Sequence, residues 1–305
     1  MTGQQYYSNG KLLLTGEYLV LRGAKAMALP LKYGQSLRIT PCQNPEKLIW
    51  RSSVKNKPWF EAVFDQALNI TSTSANDVAL RLQQILKKAI QIKGVTADAI
   101  TGTEITTNLD FNIEWGFGSS STLLSNIAYW LKIDPHQLLS ATSNGSGYDV
   151  VAARAEQPIF FTLENNDPVI ERAGFNPPFR ENLYFVYSGQ KQRSEESVRQ
   201  FNNTTLVPKK FIALISEYTQ KVSQASSLES FVATMKAHNE ILSEILGQQP
   251  PGKTIFSDFE GLIKPLGAWG GDFILAATDK DTEYVRRYFK KKNCSPLFTY
   301  NELVK

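Results

Sequence analysis

The run Glu114-Trp115-Gly116-Phe117-Gly118-Ser119-Ser120-Ser121 leads straight into the apolar stretch 123–131, and no other segment restricts the fold as much. Its two glycines permit backbone conformations that aim consecutive N–H groups at one point. The apolar period that follows predicts a helix, whose N-terminal end carries a partial positive charge. Three hydroxyl residues stand at that end. Two readings fit the pattern. One is a tight turn in which a serine caps the helix. The other is a phosphate cradle, in which backbone N–H groups and serine hydroxyls meet phosphate oxygens or a magnesium ion.

Composition narrows the function classes. The 305 residues are 42% hydrophobic and 20% charged, as in an ordinary soluble globular protein of one large or two ordinary domains. A formal charge of +4 is too mild for a nucleic-acid partner. The one basic run, Arg286-Arg287 followed by Lys290-Lys291-Lys292, reads as the solvated end of a helix. With only Cys42 and Cys294, neither a disulfide framework nor a zinc site is expected, and a reducing compartment, the cytoplasm, is. No leader-like N-terminus and no apolar run long enough to span a membrane is read. The two histidines, His136 and His238, sit in polar helical surroundings and are expected at the surface.

Along the chain, 11–14 and 18–21 read as strands, separated by Thr15-Gly16-Glu17, with further strands at 26–39, 48–51 and 59–64. Residues 71–76 read as a loop, with Asn76 or Asp77 capping a helix over 78–92. There Leu82, Ile85, Leu86, Ala89 and Ile90 recur at helical spacing. A strand over 99–108 leads into the glycine loop, and helices follow near 120–131, 135–141 and 148–155. A strand is expected at 158–163. The Gly/Asn/Pro-rich stretch 173–180 marks a domain boundary, giving domains 1–175 and 176–305. In the second, strands are expected at 183–187, 273–278 and 297–300, and helices at 194–201, 209–224, 228–246, 255–263 and 281–292. Irregular alternation of strands and helices indicates an α+β chain in two parts rather than a doubly wound sheet.

Three more segments carry chemical potential. Ser8-Asn9-Gly10-Lys11-Leu12-Leu13-Leu14-Thr15-Gly16-Glu17-Tyr18 places a lysine at a strand start, either as a point charge for a site or as a solvent-facing edge residue. In Ser143-Asn144-Gly145-Ser146-Gly147-Tyr148-Asp149-Val150 the aspartate either complements a helix N-terminus or orients an attacking hydroxyl. Lys264-Pro265-Leu266-Gly267-Ala268-Trp269-Gly270-Gly271-Asp272-Phe273 is a glycine cluster entering a strand, either a hairpin turn or a close approach to substrate.

In this order, the four segments resemble the GHMP kinases, the family of galactokinase, homoserine kinase, mevalonate kinase and phosphomevalonate kinase. The first is similar to the family's Pro-Gly-Lys motif, with Asn9 in place of proline. Gly116-Phe117-Gly118-Ser119-Ser120 resembles its phosphate loop, with Phe117 for leucine, and 146–149 resembles the segment bearing its catalytic aspartate. Residues 267–272 resemble its third glycine motif, with Trp269 where glycine is usual. Gly16-Glu17-Tyr18 and Gly270-Gly271-Asp272 look like the phosphomevalonate kinase forms. Two further departures are Asn112, where proline is usual, and the pair Glu114-Trp115 at the loop entrance. The family's magnesium-binding glutamate has no counterpart in 135–140.

The resemblance implies a two-domain GHMP kinase fold, an N-terminal α/β domain holding ATP and a C-terminal ferredoxin-like domain. It implies ATP and Mg²⁺ as cofactors and phosphoryl transfer to a small molecule, phosphomevalonate or mevalonate. The alternatives are a sugar or other small alcohol as acceptor, or a non-catalytic nucleotide- or metabolite-binding protein. Gly116, Phe117, Gly118, Ser119, Ser120 and Ser121 would hold the triphosphate, with Ser120 on Mg²⁺. Asp149 would act on the acceptor hydroxyl, and Lys11 would pair with Asp149 and offset charge on the phosphoryl group. Glu17, Tyr18, Ser146, Gly147, Lys191, Arg193, Gly267, Gly270 and Gly271 would face the acceptor. The cations Lys191 and Arg193 suggest an anionic acceptor. No nucleic acid or membrane is implied, and the protein would be a monomer or homodimer.

Overall fold

The computed structural model describes residues 3–143, 145–165, 167–189, 194–204, 206–267 and 272–305. Contacts divide the chain into two compact units. One comprises Met1–Gly10, Tyr33–Ile113 and Phe117–Arg154, and the other Lys11–Lys32, Glu114–Gly116 and Ala155–Lys305. Two long strands, β1 (Gln4–Thr15) and β2 (Ala26–Pro41), run through both.

In the first unit the later part of β2 pairs antiparallel with β6 (Thr103–Leu109), which pairs parallel with β3 (Leu48–Val54). A hairpin through Lys55 and Asn56, both at positive φ, joins β3 to β4 (Lys57–Phe64), and the polar edge strand β5 (Ile70–Thr73) completes the order. The sheet core is built by alternation: Leu48, Trp50, Phe64, Leu37 and Ile105 face one way. Against them pack α1 (Asn76–Lys93), through Leu82, Ile85, Leu86 and Ala89, and α2 (Ser119–Leu131), through Leu124, Ile127 and Ala128. Short helices α3 (Pro135–Ser140) and α4 (Tyr148–Ala152) add Leu138, Leu139 and Val150.

In the second unit the start of β2 pairs with β7 (Ile159–Glu164), itself paired with β8 (Asp167–Arg172). A separate antiparallel sheet follows from β9 (Leu183–Tyr187), β10 (Leu262–Pro265), β11 (Phe273–Ala277) and β12 (Leu297–Thr299), ordered β10-β11-β9-β12. Between β9 and β10 lie α5 (Ser194–Thr204), α6 (Lys209–Ser223) and α7 (Leu228–Leu246). Between β11 and β12 lies α8 (Thr282–Lys291), and α9 (Tyr300–Leu303) ends the chain. This βαββαβ order is the ferredoxin-like arrangement. Among the described residues no helix is long and apolar enough to cross a membrane.

Expectations change at several places. Residues 71–73, read as loop, form the edge strand β5 through pairing with β4. Neither Asn76 nor Asp77 caps α1, whose N-cap position is Ala75 with no side-chain bond. Residues 97–99 form a 3-10 turn, so the strand expected from 99 begins at Thr103. Residues 18–21 form no strand; Leu19–Arg22 is a 3-10 turn, entered and left at positive φ through Gly16, Tyr18 and Gly23. A four-residue apolar run cannot by its pattern choose between strand and buried turn. Residues 255–263 form turns that run into β10 rather than a helix, and Phe256, Phe259 and Ile263 still reach one core. His238 is wholly buried on α7 instead of lying at the surface, whereas His136 is half-buried.

Candidate active site

In the first unit, the N-cap of α2 is Gly118 at φ 87°, and no side chain caps the helix start. A left-handed residue there suits glycine because a Cβ would clash. The serine-capped turn is therefore not what forms. Ser119, Ser120 and Ser121 all lie in the first helical turn, where the unsatisfied N–H groups of a helix point. Ser120 is exposed, and Ser121 is buried.

Asp149 stands in the first turn of α4, whose N-cap is Gly147 at φ 93°. The ring of His136 occupies the place a Cβ on Gly147 would take, 2.5 Å from its Cδ2. The carboxylate is held on both oxygens. Ser121 Oγ donates to Oδ2 at 2.5 Å, and the Val150 N–H donates to Oδ1 at 3.0 Å. Ser146 is buried beside it in sequence.

A buried polar network anchors the other side of α2. Thr122 Oγ1 donates to Gln35 Oε1 at 2.7 Å, and Asn126 Nδ2 to the Gln35 carbonyl at 2.9 Å. Ser8 Oγ donates to Asn126 Oδ1 at 2.8 Å. The Arg154 guanidinium reaches Ser125 Oγ at 3.0 Å and the Tyr7 carbonyl at 2.8 Å, and burial lowers its pKa. The Asn9 N–H donates to the Ala153 carbonyl at 2.8 Å, just past α4. A proline at position 9 would forfeit that bond. Gly10 lets β1 pass close to the loop, since a Cβ there would lie 3.2 Å from the Phe117 carbonyl. Phe117 itself is a core residue, edge-on to Phe111 at 5.5 Å.

In the second unit Lys11 is half-buried in β1. Gly116 takes φ 66°, and the Asp272 carboxylate fills the space a Cβ on it would need. Asp272 has φ 48°, is 7% exposed, and accepts at its carbonyl from the Ser188 N–H at 2.7 Å. Trp115 packs edge-on against Phe298 at 5.6 Å and Phe273 at 6.3 Å, so it anchors the loop entrance in the core. Glu114 is exposed. Burial first, then the charges of Asp272 and Glu114, raise the Tyr187 hydroxyl pKa.

Glu17 is buried, 1% exposed, and ion-paired with Lys264, itself 0% exposed. Burial raises the Glu17 pKa against the pull of Lys264, and burial lowers that of Lys264 against the pull of Glu17. His238 Nε2 lies 3.6 Å from Glu17 Oε2 and accepts from the Gly16 N–H at 3.1 Å. Tyr18 is half-buried against Phe201 at 5.0 Å. Gly267 takes φ 69° in the β10–β11 connection, and among the described residues nothing lies within 4 Å of where a Cβ on it would stand. Lys191, Arg193, Trp269, Gly270 and Gly271 lie outside the described residues.

No known protein-family profile matches the chain, and no curated protein does. Solved structures do. The mevalonate kinase of Methanococcus jannaschii is 16% identical with a TM-score of 0.72, covering 97% of both chains. The Streptococcus pneumoniae phosphomevalonate kinase, in complex with phosphomevalonate and AMPPNP, is 15% identical with a TM-score of 0.71, over 97% of this chain and 99% of that one. The galactokinase of Lactococcus lactis, complexed with galactose, is 12% identical with a TM-score of 0.68, over 97% and 92%. The fold is that of the GHMP kinases.

Within this GHMP kinase fold, the structure brings Ser121 to Asp149 in one unit, and Gly116 to Asp272 and Glu17 to Lys264 in the other. Sequence reasoning missed the bond from Ser121 to Asp149, the backing by Arg154 and Asn126, and the burial of His238. Lys264 had a legible signal: it is the one charge inside the apolar run Leu262-Ile263-Lys264-Pro265-Leu266. Such a charge implies a buried partner.

Proposed function

We propose that the chain is an ATP-dependent phosphotransferase for a small-molecule alcohol, with phosphomevalonate or mevalonate as acceptor. One observation carries this: the Asp149 carboxylate is fixed by Ser121 in the first turn of a helix whose start no side chain caps. Helix N–H groups and the helix dipole favour a polyanion there. Residues 116–121 would hold the triphosphate.

Phosphoryl transfer asks a protein chiefly for positioning and electrostatics. Asp149, its oxygens already oriented, would accept the proton of the acceptor hydroxyl as that oxygen bonds the γ-phosphorus and the bond to ADP breaks. Lys11 would offset charge on the phosphoryl group in transit. Tyr18, Ser146, Gly147 and Gly267 would line the acceptor's side, and Lys191 and Arg193 favour a phosphorylated acceptor. Among the described residues no group of three or more His, Cys, Asp or Glu could hold a metal. Mg²⁺ would come with the nucleotide, and the Ser120 hydroxyl, exposed in the first turn of α2, would be its protein ligand. When bound, it neutralises charge on the β- and γ-phosphates.

The likeness to a galactokinase supports a sugar as second acceptor class. ADP release measured with phosphomevalonate, mevalonate, galactose and homoserine separates the classes. Asp149→Asn and Lys11→Met are expected to lower turnover on the accepted compound by about 10²–10⁴ while ATP still binds. Near-normal rates in both would sink these roles. Binding of ATP with turnover of no acceptor would favour a non-catalytic nucleotide-binding protein.

A further inference from the structure

The segment 16–18 poses a problem that the kinase reading does not answer. Glu17 is 1% exposed, and its Oε1 accepts from the Lys264 ammonium, which also donates to the Pro265 carbonyl at 3.4 Å. A carboxylate so enclosed has no face for an acceptor. The cluster is also poorly satisfied. Glu17 Oε2, His238 Nδ1 and Asn239 Oδ1 are buried and make no hydrogen bond among the described residues. Burying two charges with orphaned polar atoms beside them brings no net stability over apolar side chains of like volume. A core built for stability alone would not contain this cluster.

What the cluster does hold is a turn. Gly16 takes φ 84° and Tyr18 takes φ 61°. The second is a conformation that a Cβ opposes, and it persists only where the surroundings enforce it. The Gly16 N–H is tied to His238 on α7, the Glu17 side chain to Lys264 on β10, and the Leu19 N–H to the Glu17 carbonyl at 2.6 Å. Two elements of the second unit, α7 and β10, thus hold Gly16 and Glu17, and a bond within the turn closes it just past Tyr18. The residue they leave partly accessible is Tyr18.

The geometry points to Lys264 and Glu17 as a positioning pair that locks the strained turn 16–18, making Tyr18 rather than Glu17 the acceptor-side residue of this segment. The assignment of Tyr18 to the acceptor rests on the kinase reading; the locking of the turn does not. Lys264 then acts on the acceptor only through the turn and touches no substrate.

Four proteins test this: wild type, Glu17→Gln, Lys264→Met, and the double variant Glu17→Leu/Lys264→Met. Lys264→Met strands a buried carboxylate and should lower Tm by roughly 10 °C. The double variant removes both charges and should regain most of that loss. If the pair positions Tyr18, the double variant nonetheless shows about a tenfold or larger rise in acceptor KM, measured with phosphomevalonate and mevalonate, and an ATP KM within about twofold of wild type. Its backbone amides over 16–22 also exchange faster with deuterium. Recovery of Tm together with unchanged acceptor KM and unchanged exchange would overturn the proposal. A raised acceptor KM in Glu17→Gln, with Tm and exchange unaltered, would overturn it too, by showing direct contact of Glu17 with the acceptor. Should wild type turn over neither compound, the kinase reading fails. The exchange measurement then decides the positioning claim by itself: faster exchange in the stable double variant supports it, and unchanged exchange defeats it.

Discussion

The hydroxyl of Ser121 differs from that of its neighbour Ser120 in being buried and bonded to Asp149. A bond to a charged group contributes about 1.5–3 kcal/mol, and about 1.4 kcal/mol is tenfold in rate. Ser121→Ala should therefore lower kcat by about 10–100-fold, with little further loss when combined with Asp149→Asn; additive losses would mean that Ser121 acts elsewhere. Gly116 makes a second residue-scale case. At φ 66°, with the Asp272 carboxylate where a Cβ would be, Gly116→Ala should cost at least about 1 kcal/mol in chemical denaturation. Asp272→Gly should return part of that cost, because it removes the blocking side chain. An undiminished cost in the double variant would assign all of it to backbone strain. Both residues stand in a motif plain in the sequence, but their partners lie 28 and 156 positions away and no local pattern names them.

At the scale of elements, long amphipathic helices were legible and short connections were not. The helix expected at 228–246 is α7 to the residue, and 281–292 differs from α8 by one residue at each end. A 3.6-residue apolar period sustained over three turns or more leaves little freedom. The runs 18–21 and 255–263 were too short for a period to choose among strand, helix and turn, so packing chose. Burial was equally hidden. His238 lies on a helix rich in polar residues, yet burial first, and the Lys264 charge second, hold its pKa well below 6.5. The folded chain thus keeps it neutral where the unfolded chain takes up a proton. Stability should fall as pH drops below about 6.5, by up to about 1.4 kcal/mol per pH unit. Glu17, raised by burial, works in the opposite sense as pH climbs past its unfolded value, and Lys264, lowered by burial, works in the same sense as His238 once pH falls below its own unfolded value. Tm measured from pH 7.5 to 5.5 should decline less steeply in His238→Gln than in wild type. Parallel curves would place the titrating group elsewhere.

For the whole molecule, the irregular alternation of strands and helices indicated an α+β chain, the resemblance of four ordered segments implied the GHMP kinase fold, and solved structures of that fold cover 97% of the chain. Local chemistry explains why. Glycine at positive φ and helix period are written in neighbouring residues, so the glycine turn at 116–118 and α2 could be read where they stand, whereas β10 lay inside a stretch expected to be helical. Tertiary structure decided what each candidate site residue meets. It put Gly118, with no side chain to offer, at the helix start, bound Asp149 to Ser121, paired Glu17 with Lys264 across 247 positions of sequence and tied Gly16 to His238 across 222. Contacts over such separations depend on how strands and helices pack, and packing answers to the volume and charge of the entire core rather than to any one segment.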